Sequence, residues 1–142
     1  LAARAVASLA KLGAAEALPV VLERMNTGLA RDGRRIVGEP DGYYLLVEVP
    51  VEEVAAKERG FVSNALRWLG SLDAEAALVV LPQLLVDEET VANYQRKLFW
   101  GLADTADERA AGPLVRALNR LEGVGHCYTG FQLYQHMVFG SP

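Results

Sequence analysis

The residues best equipped for chemistry lie near the end of the chain, where His126 and Cys127 are adjacent and His136 follows ten positions later. A thiol beside an imidazole is the raw material of a nucleophilic site, and the three side chains together are soft metal ligands. Adjacency in sequence does not seat an imidazole on a sulfur, however, and a structural zinc site takes four ligands at tighter spacing. Burial alone accounts for a lone cysteine. Gly123-Val124-Gly125, just before them, lacks the third glycine of a dinucleotide-binding turn and follows a helical pattern rather than a strand. No Gly-Lys-Ser/Thr, Gly-x-Ser-x-Gly or His-Glu-x-x-His pattern occurs. The carboxylates of Asp87-Glu88-Glu89 and of Asp104, Asp107 and Glu108 gather where turns are expected. They read as solvated helix starts, which favour negative charge, and not as an acid/base pair. No catalytic residue, metal or cofactor is therefore expected.

Binding chemistry is better represented. Arg31, Arg34 and Arg35 form a cluster of guanidiniums, the group that recognises phosphate and carboxylate in fixed geometry, but Asp32, Glu39 and Asp41 offset it locally. Phe61, Trp68, Phe99 and Trp100 recur at helical spacing, which suits packing between helices more than a ligand cage.

The elements that position these groups emerge from a repeat. Residues 64–88 set over residues 97–121 at a shift of 33 align Leu66 with Phe99, Leu69 with Leu102, Gly70 with Ala103, Glu75 with Glu108, Ala77 with Ala110, Leu81 with Leu114 and Leu85 with Leu118. A third copy opens the chain: Val6, Leu9, Leu12 and Gly13, then Ala17, Leu18, Val21, Leu22 and Met25. Apolar residues recur at steps of three and four on both sides of a small or acidic turn, so each copy is a pair of amphipathic helices. The turns fall at Gly13-Ala14-Ala15, Gly70-Ser71-Leu72-Asp73 and Ala103-Asp104-Thr105-Ala106-Asp107, with Asp73 and Thr105 or Asp107 as N-caps. One helix pair cannot bury its apolar face alone, so neighbouring pairs must stack.

Ala5-Val6-Ala7-Ser8-Leu9-Ala10-Lys11-Leu12-Gly13 followed by Ala17-Leu18-Pro19-Val20-Val21-Leu22, and Ala65-Leu66-Arg67-Trp68-Leu69-Gly70 followed by Ala74-Glu75-Ala76-Ala77-Leu78, resemble the first helix, Leu-Gly turn and second helix of the HEAT-like repeat family. The likeness covers residues 1–26 and 59–122. It implies an all-α fold, a short α-solenoid of antiparallel helix pairs, with repeats at about 1–27, 50–88 and 89–122 and a partial repeat or tail at 123–142 forming a single domain. The ankyrin Thr-Pro-Leu-His signature is missing, and Trp68 directly precedes Leu69-Gly70 instead of standing where a tetratricopeptide motif wants it.

Residues 28–49 interrupt the repeat. Pro40-Asp41-Gly42 is a turn, because Pro presets φ and Gly accepts positive φ. The aromatic and β-branched run Tyr43-Tyr44-Leu45-Leu46-Val47-Glu48-Val49 is expected to pair with residues 34–37 as a loop or small β-hairpin. Pro50 is expected as the first residue of a long helix, with Gly60 as a possible kink.

Bulk properties bound the rest. A chain of 142 residues with 51% hydrophobic residues can hold a single core, and its longest apolar stretch, residues 76–86, is broken by Pro82 and Gln83 and falls short of the ~20 residues of a membrane span. A net charge of −4 gives no basic footprint for nucleic acid. One cysteine suits a reducing, cytoplasmic setting. The chain starts inside a helical pattern without Met or a polar cap, so it is expected to be part of a longer chain, and self-association is open to it.

A solenoid presents its second helices as a recognition surface. The expected function is therefore a non-catalytic protein-interaction or scaffold module, binding another protein through Glu23, Arg24, Gln83, Arg116, Asn119 and Arg120 on second helices and through Arg31, Arg34, Arg35, Tyr43 and Tyr44 on the insertion. The resemblance also reaches bilin-lyase-like HEAT proteins, which implies an enzyme or enzyme subunit with a concave pocket of His126, Cys127 and Tyr128. It reaches HEAT-like DNA glycosylases as well, which implies nucleic-acid binding by a concave stripe of Arg24, Arg116 and Arg120.

Overall fold

A computed structural model describes residues 2–120, in which six α-helices and one two-stranded antiparallel sheet account for most of the chain. The expectations placed on His126, Cys127, Tyr128, His136, Gly123-Val124-Gly125 and the tail from residue 121 onward fall outside the described residues.

Helix α1 (Ala3–Lys11) carries Val6 and Ala10 on its buried stripe and ends at Gly13, whose φ of +66° is the left-handed conformation glycine adopts without penalty. There the Gly13 N–H donates to the Ala10 carbonyl and the Ala14 N–H to the Leu9 carbonyl, which satisfies two of the carbonyls a helix end leaves open. Helix α2 (Leu18–Leu29) follows with Pro19 in its first turn, where a missing N–H costs nothing. Strands β1 (Arg34–Gly38) and β2 (Tyr44–Glu48) pair in the expected hairpin, with Ile36 opposite Leu46 and Val37 opposite Leu45. Helices α3 (Ala56–Leu72), α4 (Ala74–Leu85), α5 (Glu88–Ala103) and α6 (Ala111–Arg120) complete the described chain. Asp73 caps α4 by accepting from the Ala76 N–H, and Asp107 accepts from the Arg109 N–H ahead of α6, so both expected acidic caps are in place.

Two details of the sequence reading are corrected. Pro50 does not open a helix: residues 49–55 run without regular structure and α3 begins at Ala56. The cause is tertiary, because the Val49 N–H donates to the Gly33 carbonyl and the Glu52 N–H to the Ala30 carbonyl, tying this segment to the end of α2. Gly70 is not a turn residue either. It stays inside α3, and a Cβ there would overlap the carbonyl oxygen of Gly101 on α5, while a Cβ on Gly101 would overlap the carbonyl oxygen of Leu66. The two glycines let the backbones of α3 and α5 touch.

Packing sorts the elements into two layers. In one, α1 lies against α3 and α3 against α5; in the other, α2 and α4 flank the hairpin, β1 meeting α2 and β2 meeting α4, with α6 beside α4. The core between them holds Met25, Leu29, Phe61, Leu66, Leu69, Leu81, Leu98 and Phe99, all essentially inaccessible. Each such side chain contributes about 1.5–3 kcal/mol by leaving water. Polar pairs cross from one helix pair to the next at a constant offset of 34 residues: Arg24 with Glu58, Arg59 with Asn93 and Arg109 with Glu75. Arg67 also bridges neighbouring pairs, at an offset of 37 to Asp104, with its guanidinium 4.6 Å from the ring of Trp68 and 4.9 Å from that of Trp100.

Candidate functional site

The hairpin is the feature that departs from paired helices, and its docking decides what it offers to solvent. In β1, Ile36 turns its N–H and C=O away from β2. Asn26, buried on α2, takes both: its Oδ1 accepts from the Ile36 N–H at 2.7 Å and its Nδ2 donates to the Ile36 carbonyl at 2.9 Å. On the other side Gln83 of α4 does the same for β2, accepting from the Leu46 N–H at 3.0 Å and donating to the Tyr44 carbonyl at 2.8 Å, with Val79 O as a further acceptor. Two amide side chains thus stand in for neighbouring strands at the middle of each edge, where an open edge would recruit another chain.

Strand alternation does the rest. Ile36, Tyr44 and Leu46 face the core, leaving Arg35, Val37, Leu45 and Val47 on the outer face, with Tyr43 exposed at the turn. The turn itself is set by Gly42 at φ +87° and by the Asp41 carboxylate accepting from the Tyr43 N–H at 3.0 Å.

Several residues expected to meet a partner are joints of the fold. Arg34 donates through Nε and Nη2 to both Asp87 oxygens, at 2.9 and 3.0 Å, and through Nη1 to the carbonyls of Asp32 and Gly33. Burial alone would raise the Asp87 carboxyl, but the hydrogen bonds from Arg34 and from Thr90 outweigh it and hold it below the ordinary carboxylate range. Arg24 grips Glu58 with two bonds of 2.8 Å and lies over the Phe61 ring. Gln83 is the β2 clasp, and Tyr44 packs on the core. Glu23 and Arg35 pair at 3.3 Å with both side chains largely in water, an interaction worth little to stability. Arg31, Tyr43, Arg116 and Asn119 are exposed, and Arg120 closes α6. Of the residues that could have made a basic stripe for nucleic acid, Arg24 is committed to Glu58.

No family model, curated protein or solved structure matches the chain.

Other concavities are chemically thin. An open cleft of about 550 Å³ lies between α2, the start of β1 and residues 49–55. Arg34, Arg35 and Glu58 in its wall already have partners, and what else it offers a ligand is the exposed carboxylates of Glu52 and Glu53 and the hydroxyl of Thr27. Where the turn after α2 meets α5, the Asn93 amide donates to Asp32 Oδ1 at 2.7 Å, while Asp32 Oδ2 is buried without a hydrogen-bond partner. Burial pushes the Asp32 carboxyl up against the pull of Arg59 and Arg31, and Glu89 and Asp87 add to the rise. Burial likewise raises the Tyr94 phenol, with the Asp32 charge adding to it. Among the described residues no group of three or more His, Cys, Asp or Glu side chains is placed to hold a metal ion, and no helix is long and apolar enough to cross a membrane.

Sequence reasoning missed Asn26 altogether. Its signal was available: it stands among Leu22, Met25 and Leu29 on the buried side of α2, and a buried amide must find partners.

Proposed function

We propose that the chain is a non-catalytic protein-interaction module built as a short HEAT-like α-solenoid, reading its partner through the outer face of the hairpin. The stacking of α1 on α3 on α5 and the polar pairs repeated at 34 residues support the solenoid reading, since both are what a translated helix pair would produce. The observation that carries the functional reading is the apolar outer face of the hairpin. Leu45 and Tyr43 are exposed and Val37 and Val47 half-exposed, although a hairpin with the same docking could have been polar on that side. The bilin-lyase-like alternative rests on His126, Cys127 and Tyr128, outside the described residues, and the nucleic-acid alternative on a stripe from which Arg24 is withdrawn.

The test is site-specific photo-crosslinking in this protein, expressed in its source cells, with the crosslinker at position 45 and a control at exposed Lys57 on α3. A discrete protein adduct at 45 and none at 57 is expected. Absence of any adduct at 45, or crosslinking to nucleic acid, refutes the reading.

A further inference from the structure

The inference here rests on that reading and names the chemistry of the partner: we propose that the hairpin face takes a basic amphipathic segment, apolar side chains flanked by Lys or Arg. Three observations lead there. First, strand addition is disfavoured, because the outward N–H and C=O groups at the middle of both edges are held by Asn26 and Gln83. The partner must therefore be recognised by side chains, and Val37, Leu45 and Tyr43 offer an apolar surface to them.

Second, the rim of that surface is acidic. Glu39 and Asp41 stand at the turn end and carry that charge, while Glu48 at the open end lies on the other strand face, 4.0 Å from Arg34. The one cation on the face, Arg35, is paired with Glu23. Charge complementarity across an interface steers encounter and rejects wrong partners, so the matching segment carries positive charge around its apolar centre. Third, a second copy of this chain would press the same carboxylates against themselves, in a protein whose net charge is already −4. The same repulsion turns away nucleic acid.

The experiment uses the whole chain and two fluorescent synthetic peptides of one helical pattern, one of Leu and Lys, the other of Leu and Glu, read by anisotropy. The Leu/Lys peptide is expected to bind and the Leu/Glu peptide to bind at least tenfold more weakly. Leu45→Ser should weaken Leu/Lys binding about tenfold, the order expected for losing one buried leucine, and the double variant Glu39→Lys, Asp41→Lys should weaken it several-fold and flatten its salt dependence. Leu45 and Asp41 are exposed and Glu39 is half-buried. Because the Asp41 carboxylate also accepts from the Tyr43 N–H, each variant must keep the parent melting temperature, and Glu39→Lys alone gives the reading where Asp41→Lys loosens the turn. Equal binding of the two peptides, or Leu/Lys binding indifferent to both variants, overturns the proposal, as does a concentration-dependent dimer that Leu45→Ser dissolves. A crosslinked protein partner whose contacting segment is acidic or uncharged also overturns it while leaving the interaction reading standing.

Discussion

Asn26→Ala puts the hairpin's attachment to a direct test. In the folded chain the Asn26 amide satisfies both the N–H and the C=O of Ile36, a residue only 4% exposed, inside a site where Asn26 itself is 5% exposed. Removing the amide orphans two backbone groups that water reaches poorly, at about 1–3 kcal/mol each. Alanine returns a few tenths of a kcal/mol through better helix propensity in α2. The net expectation is a loss of about 2–5 kcal/mol, a large share of the ~5–15 kcal/mol that holds a domain together. At this chain length that is a drop of roughly 10 °C in melting temperature. Circular dichroism gives the melt, and hydrogen exchange locates the damage: Ile36 should lose protection first, followed by the rest of the hairpin. Gln83→Ala supplies the comparison, because Gln83 is only half-buried and water can replace it, so about 1 kcal/mol is expected. If Asn26→Ala melts within about 0.5 kcal/mol of the parent with Ile36 still protected, the clasp is not what docks the hairpin.

Other perturbations probe the joints. Gly101→Ala drives a methyl into the Leu66 backbone, which cannot rotate away, and should cost about 2–3 kcal/mol in chemical denaturation, whereas Gly60→Ala, facing open space in α3, should be neutral or stabilising. Arg34→Lys keeps a charge but loses the paired bonds to Asp87, and a urea melt should show about 2 kcal/mol of destabilisation with the hairpin end most exposed to exchange. Asp32→Asn should stabilise the chain near neutral pH. The fold raises this carboxyl through burial, with Arg59 and Arg31 opposing and Glu89 and Asp87 reinforcing, so the folded state binds the proton more tightly than the unfolded one. The resulting penalty is absent below the ordinary carboxylate pKa of about 4 and grows as pH rises through the folded value. Paired melts of parent and variant should therefore converge on acidification, and a gap that widens would contradict the assignment.

The helices were legible because the period of three and four is a local property, and the hairpin because Pro40-Asp41-Gly42 is a turn in almost any context. What escaped depends on distant neighbours. Pro50 looks like a helix start by every local rule, yet backbone bonds to Gly33 and Ala30 hold residues 49–55 out of the helix. Gly70 follows a leucine as a turn glycine does, and only the approach of Gly101, 31 residues later, shows that it is a contact glycine.

The candidate residues illustrate the same limit from the side of function. Charge and hydrogen-bonding capacity made Arg34, Arg24 and Gln83 attractive as partner-binding groups, but in stacked helix pairs those same capacities are what ties one pair to the next. An arginine with four of its five N–H groups occupied by Asp87, Asp32 and Gly33 has little left for a ligand. With those polar groups used in joints, the hairpin's outer face is left to Val37, Leu45 and Val47, with Arg35 paired to Glu23 at its side. Arg34 holds the open end of the hairpin and Gln83 and Asn26 hold its edges, so on the proposed reading a partner meeting Leu45 would not have to order that strand first. On the proposed reading, Arg34 and Gln83 act on recognition indirectly, by fixing the hairpin that carries Leu45 and Tyr43.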